Sequence, residues 1–193
     1  MCYDSSAARS YIPLPDEIQN KKATINIENE DDKCFNYCLG RALDPSLEKT
    51  NLDRVSKHLT NVCGSMGLNN IKTPVNVQDL PKIETQLKVS INLYGHSNSN
   101  IYPIQTTQST AEKHVDLLVT SNSETNHYIW IKNFNRLCYN VTKDKAKKFF
   151  CKHCIQHFAS ESRLQKHKED CMLLTKCQAI EMPAKNEVTK FKS

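Results

Sequence analysis

Three cysteines and one histidine near the C-terminal end of the sequence have the spacing of metal ligands. The stretch FFCKHCIQHFASESRLQKHKEDC covers residues 149–171, and its ligand spacing is C-x2-C-x12-H-x3-C. Two thiolates separated by two residues can bind one metal from a hairpin, and a His and a Cys four positions apart lie on one face of a helix. Zn²⁺ accepts three sulfurs and one nitrogen as ligands. The spacing therefore predicts one structural Zn²⁺ held by Cys151, Cys154, His167 and Cys171.

Apolar residues flank these ligands at the positions that a small zinc finger requires. Phe149 lies two residues before the first Cys, Phe158 four residues after the second, and Leu164 three residues before the His. So short a unit has too small a core to fold without its metal. Residues 149–172 are therefore predicted to form a ββα zinc finger with Cys as the last ligand. Two further histidines, His153 and His157, fit no ligand position and are expected to be exposed.

Basic residues are concentrated in and around the predicted finger. The chain has 193 residues and a net charge of +5, and residues 143–193 alone carry 12 basic and six acidic side chains. Such a patch is typical of a surface that contacts a phosphate backbone, although a merely solvated charged helix gives the same pattern. The predicted nucleic-acid contacts lie on the outer face of the finger helix and in the linker before the finger. They are Ser160, Ser162, Arg163, Lys166, Lys147 and Lys148.

Cys34 offers a second chemistry, because it is predicted to begin a helix. The dipole and the free N–H groups of a helix N-terminus lower the pKa of a thiol and favour the nucleophilic thiolate. His127 begins a later strand and would act as general base, with Asn133 or Asp31 as the residue that orients it. His114 also begins a strand and is a rival for the role of His127. The alternative is that Cys34 is only a buried core residue.

The elements that would position these residues form one α+β domain, predicted over residues 23–140. The segment ATINIE (23–28) alternates like a short strand, and CFNYCLGRAL has the apolar period of a helix that begins near Cys34. Four short β-rich runs follow: VSINLYG, IYPIQTT, HVDLLVT and HYIWIKN. The turn residues between them predict an antiparallel meander. The other predicted segments are an extended lead-in (1–22), a basic linker (141–148), the finger (149–172) and an irregular tail (173–193).

Composition predicts a reducing compartment, either the nucleus or the cytoplasm. The start, MCYDSSAARS, lacks the apolar core of a signal peptide, and no apolar run approaches the ~20 residues of a membrane span. The nine cysteines are odd in number, and the six outside the predicted finger show no disulfide-framework spacing. The chain is therefore expected to be neither secreted nor associated with a membrane.

The surroundings of Cys34 and His127 resemble the ovarian-tumour class of cysteine proteases. The resemblance rests on Asp31 three residues before the Cys, on the Cys-Phe and His-Tyr pairs, and on the INLYG run. It departs from that class because the Asp-Gly-Asn-Cys run is Asp-Asp-Lys-Cys here, and because Ile129 stands where an acid or amide is usual. The resemblance implies a papain-like fold with peptidase or deubiquitinase activity.

The chain from about residue 11 to residue 192 resembles the amino-terminal region of long proteins encoded by Polinton/Maverick-type transposable elements. The strongest parts are HYIWIKNFNRL and the predicted finger, and IPLP, ATINIEN, DDKCF, INLYG, IYPI and HVDLL occur in the same order. In those proteins the region precedes a protein-primed family B DNA polymerase. This sequence contains neither the exonuclease carboxylate motifs nor the paired aspartates of a polymerase. The resemblance implies a module without polymerase activity, with a polymerase or another transposon protein as partner.

Three functions are therefore open from the sequence. The first is a nucleic-acid-binding accessory module, with DNA favoured over RNA as its ligand. The second is a cysteine peptidase that uses Cys34 and His127. The third is a protein-interaction module in which the finger is a docking surface.

Overall fold

The computed structural model of the chain describes residues 11–47, 51–97, 100–107, 111–121, 126–139 and 147–174. Within these residues lie six α-helices, one five-stranded sheet and one two-stranded sheet. The helices and the larger sheet of residues 11–139 form the α+β domain, so the prediction of a mixed α+β fold is confirmed. The smaller sheet and the last helix form residues 149–174, which we call the Cys/His module. Of the predicted tail (173–193), residues 175–193 lie outside the described part of the chain. Of the predicted linker (141–148), residues 141–146 lie outside it.

Helices dominate the first part of the α+β domain. They are α1 (Asp16–Gln19), α2 (Cys34–Leu43), α3 (Lys57–Ser65) and α4 (Leu80–Leu87). The start of α2 agrees with the prediction. The segment predicted to be an extended lead-in differs from it, because its described part contains α1. Pro15 before this helix and the carboxylates of Asp16 and Glu17 in its first turn favour a helical start there.

The five-stranded sheet has the strand order β1-β5-β4-β2-β3. Strands β2 and β4 are parallel, and the other neighbouring pairs are antiparallel. The predicted antiparallel meander is therefore wrong, because β4 pairs with β2 instead of with β3. Pro103 in β3 has no N–H to donate to a further neighbour, which suits an edge strand. The strands are β1 (Thr24–Ile25), β2 (Val89–Ser97), β3 (Asn100–Gln105), β4 (Lys113–Ser121) and β5 (Asn126–Ile131).

The sheet separates two apolar clusters. The first face is covered by α2, α3 and α4, and its buried residues include Phe35, Leu117 and Tyr128. The second face carries a smaller cluster that includes Leu118 and Ile129. Successive residues of a strand point to opposite faces, which explains why neighbours in β4 and β5 belong to different clusters. Burial of each such side chain contributes about 2 kcal/mol to folding.

The Cys/His module has two short strands and a helix, namely β6 (Phe149–Phe150), β7 (His157–Phe158) and α6 (Glu161–Leu174). These follow the short helix α5 (Phe134–Cys138) that ends the α+β domain. The strands pair antiparallel, with Phe149 opposite Phe158. Leu164 is buried in one cluster with Cys151 and Cys171, and Phe149 and Phe158 pack against this cluster. The three apolar residues that the sequence indicates therefore lie together.

Candidate metal centre

The four predicted ligands lie close enough together to hold one metal ion. Their sulfur and nitrogen atoms are all within 4.8 Å of one another. Sγ of Cys151 is 4.0 Å from Sγ of Cys171, and Sγ of Cys154 is 3.2 Å from Nε2 of His167. A tetrahedral site with Zn–S bonds of about 2.3 Å has S···S edges of about 3.8 Å. The geometry of the group therefore suits a single tetrahedral ion.

Local backbone structure places two ligands on a tight turn and two on a helix. After β6, the N–H of Ile155 donates to the carbonyl of Cys151 at 2.8 Å, and the N–H of Cys151 donates to the carbonyl of Gln156 at 2.8 Å. These bonds close the turn between the first two cysteines. His167 and Cys171 are four residues apart on α6, so that both side chains reach the turn from one face of the helix.

Two of the module thiols are hard to ionise because they are buried. Burial, together with neighbouring sulfurs, raises the pKa of Cys171 to about 12, and burial raises the pKa of Cys154 above its usual value. Ionisation of these two neighbouring thiols therefore needs a compensating positive charge. A metal ion supplies that charge and binds the thiolates.

Cys34 lies in the core and lacks the environment of a nucleophile. Its relative exposure is 1%, and it belongs to the apolar cluster on the first face of the sheet. Burial raises the pKa of the Cys34 thiol to about 11, and a backbone hydrogen bond at Tyr128 offsets only part of that effect. The predicted lowering of the pKa by the helix N-terminus is therefore wrong, because desolvation outweighs the helix dipole.

His127 lies on the second face of the sheet, away from Cys34. Its Nε2 is 2.8 Å from Oδ1 of Asn26, and its ring makes an edge contact with Tyr11. The amide of Asn26 donates to the carbonyl of Ile12 at 2.9 Å, which leaves Oδ1 as the acceptor for the Nε2–H of His127. Side chains alternate along β5, and Tyr128 faces the first cluster, so His127 points away from α2. The structure does not form the predicted pairing of Cys34 with His127.

The two residues predicted to orient His127 make local contacts instead. Oδ2 of Asp31 accepts a hydrogen bond from the Tyr37 hydroxyl at 2.8 Å. Oδ1 of Asn133 accepts one from the N–H of Arg136 at 3.0 Å and caps α5. Asn133 caps a helix, whereas Asp31 binds a side chain of α2 without capping that helix. Neither prediction of a catalytic role is supported by these contacts.

A buried polar cluster on the second face of the sheet was not predicted from the sequence. Oδ1 of Asp116 lies 2.8 Å from Nε2 of His114 and accepts from Nδ2 of Asn92 at 3.0 Å. Its Oδ2 lies 2.6 Å from Nζ of Lys152, a residue of the Cys/His module. Burial acts to raise the pKa of Asp116, but the hydrogen bond from His114 and the charge of Lys152 outweigh it and leave this pKa below its usual value. The only sequence signal is an acidic residue inside the apolar run HVDLLVT. His114, the alternative to His127 as general base, is thus bonded to Asp116.

The predicted nucleic-acid contacts on α6 differ in their surroundings. Ser162, Arg163 and Lys166 are exposed. Ser160 is half-buried, and its Oγ lies 3.4 Å from the N–H of Arg163, the position of a helix cap. Its hydroxyl is 3.1 Å from that of Ser162. The two linker residues lie over aromatic rings. Nζ of Lys147 is 4.9 Å from the centre of the Phe149 ring, and Nζ of Lys148 is 6.0 Å from the centre of the Tyr139 ring.

The two histidines predicted to be exposed have different environments. His157 is exposed, as expected. His153 is half-buried, and its Nδ1 is 2.6 Å from Oγ1 of Thr106 in the segment after β3. The prediction for His153 is wrong because the module packs against the α+β domain at this point.

Comparisons with protein-family models, curated proteins and solved structures give no match to this chain. Among the helices that the structure describes, none combines the length and the hydropathy needed to cross a membrane.

Proposed function

We propose that the Cys/His module is a zinc finger and that the chain is a nucleic-acid-binding accessory module. One tetrahedral Zn²⁺ would be held by Cys151, Cys154, His167 and Cys171, which suit Zn²⁺ because it accepts mixed sulfur and nitrogen ligands. Two further predictions come from the resemblance to transposon-encoded proteins. One is that the chain derives from a transposon-encoded polymerase protein, and the other is that its partner is a polymerase or another transposon protein. The proposed function also implies a nuclear or cytoplasmic location.

The observation that carries the proposal is the exposure of the predicted base-contacting side chains on α6. Ser162, Arg163 and Lys166 are exposed, whereas the turn between Cys151 and Cys154 faces the α+β domain. A finger presents its helix to the major groove, so the docked turn leaves the helix available. Arg163 has the planar guanidinium that binds guanine in bidentate fashion, and Lys166 can contact guanine or a phosphate.

A single finger makes few contacts, and this limits its expected affinity. Most of the binding free energy would come from basic side chains that displace counterions from phosphates, so binding should weaken steeply as the salt concentration rises. We expect DNA to bind more tightly than RNA, because the deep, narrow major groove of RNA duplexes excludes a helix. Affinity in the micromolar range would be ordinary for so small a contact surface.

Fluorescence anisotropy with labelled duplex DNA, single-stranded DNA and duplex RNA tests the proposal. The zinc-loaded double variant Arg163→Ala/Lys166→Ala should bind DNA at least about tenfold more weakly than the wild type. The matched control is Lys57→Ala/Lys82→Ala, which removes two exposed charges from the α+β domain and should change affinity less than twofold. Equal binding by all three proteins, or binding that is insensitive to salt, would contradict the proposal.

A further inference from the structure

The turn that carries two metal ligands is bonded to the sheet of the α+β domain. Only Lys152 and His153 lie between Cys151 and Cys154. The hydroxyl of Tyr94 donates to the carbonyl of Lys152 at 2.6 Å, and Nζ of Lys152 lies 2.6 Å from Oδ2 of Asp116. Both residues of the turn therefore contact the α+β domain, since His153 bonds to Thr106 in the segment after β3.

Apolar and backbone contacts extend this attachment beyond the turn. Phe150 is buried in the cluster on the second face of the sheet, and Ile155 packs against the same cluster. The N–H of Phe150 donates to Oδ1 of Asn135 in α5 at 3.0 Å. Strand β6 and the ligand turn are thus held by the α+β domain on both sides of Cys151.

Asp116 occupies the centre of the attachment. It is 7% exposed and has two hydrogen-bond partners within the sheet, which fix the direction of its carboxylate. Lys152 is its partner from the module, and 43% of the Lys152 side chain is exposed. A buried carboxylate is costly unless a positive charge compensates it, so the pair favours the docked position of the turn.

We propose that Asp116, through Lys152, is a positioning residue for the metal site, and that metal binding and the fold of the α+β domain are coupled. Groups that orient ligands from outside the coordination sphere change metal affinity about 10–100-fold when they are removed. The ligand turn needs such orientation because it presents two of the four donors from a short loop. Conversely, an ion that binds only the docked module stabilises whatever the module is docked upon. The inference rests on the metal-binding part of the proposed function and is independent of nucleic-acid binding.

The chain contains an internal reporter for this coupling. Its single Trp, Trp130, lies in β5 and packs against the cluster on the first face, remote from the module in the layers of the fold. Trp130 fluorescence therefore follows unfolding of the α+β domain and not of the module. If the module were an independent unit on a linker, metal removal would leave the Trp130 transition where it is.

The test uses the full chain loaded with Co²⁺ or Zn²⁺. Metal affinity is measured by competition with a chelator, the ligand set by the Co²⁺ absorption spectrum, and domain stability by Trp130 thermal unfolding with and without chelator. The variants are Asp116→Asn, Lys152→Gln and their combination. Lys168→Gln is the matched control, because it removes an equal charge from an exposed position on α6. Lys152→Gln also guards against misfolding, since its side chain is partly exposed.

The proposal predicts an unchanged Co²⁺ spectrum and an affinity at least about tenfold lower in each single variant, with little further loss in the double variant. Chelation should lower the Trp130 midpoint in the wild type and in Lys168→Gln, and lower it less in Asp116→Asn. Metal affinities of the variants within twofold of the wild type, or a wild-type Trp130 midpoint that chelation does not change, would overturn the proposed coupling. Either result would leave the zinc finger of the proposed function in place. A wild type without a tetrahedral Co²⁺ spectrum would remove the zinc finger of the proposed function as well.

Discussion

Nε2 of His127 donates a hydrogen bond to Oδ1 of Asn26 at 2.8 Å, on the face of the sheet opposite α2. Burial lowers the pKa of His127 to about 4, below the ordinary value of 6.5. The folded state therefore binds fewer protons than the unfolded state between these two pH values. It follows that the contribution of neutral His127 to stability is present above pH 6.5 and is lost as the pH falls towards 4.

The variant His127→Gln should reduce this dependence of stability on pH, because Gln keeps a hydrogen-bond donor and does not titrate. From pH 7.5 to pH 4.5, the wild type should lose about 2 kcal/mol more unfolding free energy than the variant does. Urea denaturation at both pH values measures the difference. The control His58→Gln changes an exposed His and should resemble the wild type. An equal loss in wild type and His127→Gln would show that His127 is not the group responsible.

The buried position of Cys34 predicts that its thiol is unreactive in the native protein. With a pKa of about 11 and 1% exposure, Cys34 should react with a thiol reagent at least about 100-fold more slowly than the same residue in unfolded chain. Cys38, one turn later on α2, is the matched control, because its thiol is buried against the carbonyl of Tyr128 at 3.4 Å.

Peptide mapping by mass spectrometry after brief labelling measures both rates. Both cysteines should be modified only in denaturant. An activity-directed peptide or ubiquitin electrophile should label wild type and Cys34→Ala equally. Rapid native labelling at Cys34 but not at Cys38 would restore the peptidase hypothesis.

Gly40 allows α2 and α3 to approach each other closely. A Cβ at this position would lie 2.7 Å from Sγ of Cys63 and 3.2 Å from Cδ1 of Leu59. Gly40→Ala should therefore destabilise the fold by about 2 kcal/mol, although Ala has the higher helix propensity. Gly64→Ala on α3 is the control, since its nearest contact is Nδ2 of Asn69 at an ordinary 3.5 Å, and it should be neutral or stabilising.

Denaturant midpoints compare the two Ala variants with the wild type. Adding Cys63→Ala to Gly40→Ala should recover part of the lost stability, because it removes the sulfur that the new methyl group meets. A Gly40→Ala protein as stable as Gly64→Ala would show that the helices separate without cost.

Local spacing was sufficient to predict the ligand group, the apolar residues of the module and the start of α2. The start of α2 and the two ligand pairs, Cys151 with Cys154 and His167 with Cys171, each depend on residues within about one or two turns of one another, where helical and hairpin geometry relates sequence to space. Strand order was not predictable in this way. The neighbouring strands β2 and β4 are both largely buried, and the turn residues between consecutive strands do not reveal that these two pair in parallel.

The predicted pairing of Cys34 with His127 is not formed, for a related reason. The motif placed Cys34 at the start of a helix and His127 on a strand, and both placements hold. The alternation of side chains along β5 then sends His127 to the second face, whereas α2 covers the first. Asp116 and Lys152 are 36 positions apart, and only the docking of the module brings them together. From charge composition alone, Lys152 would be predicted to be a solvent-exposed lysine like its neighbours.

The last ligand of the metal group should accept His without loss of binding. Cys171 lies four residues after His167 on α6, and His at that spacing is the common fourth ligand of zinc fingers. Cys171→His should therefore retain Zn²⁺ and the folded module, whereas Cys171→Ala should bind at least about 100-fold more weakly because one ligand is lost. The Co²⁺ charge-transfer absorption near the ultraviolet should fall by about one third in Cys171→His, from three thiolates to two. Cys138→Ala, which alters a cysteine outside the group, should keep the full three-thiolate spectrum. An unchanged spectrum in Cys171→His would mean that Cys171 is not a ligand.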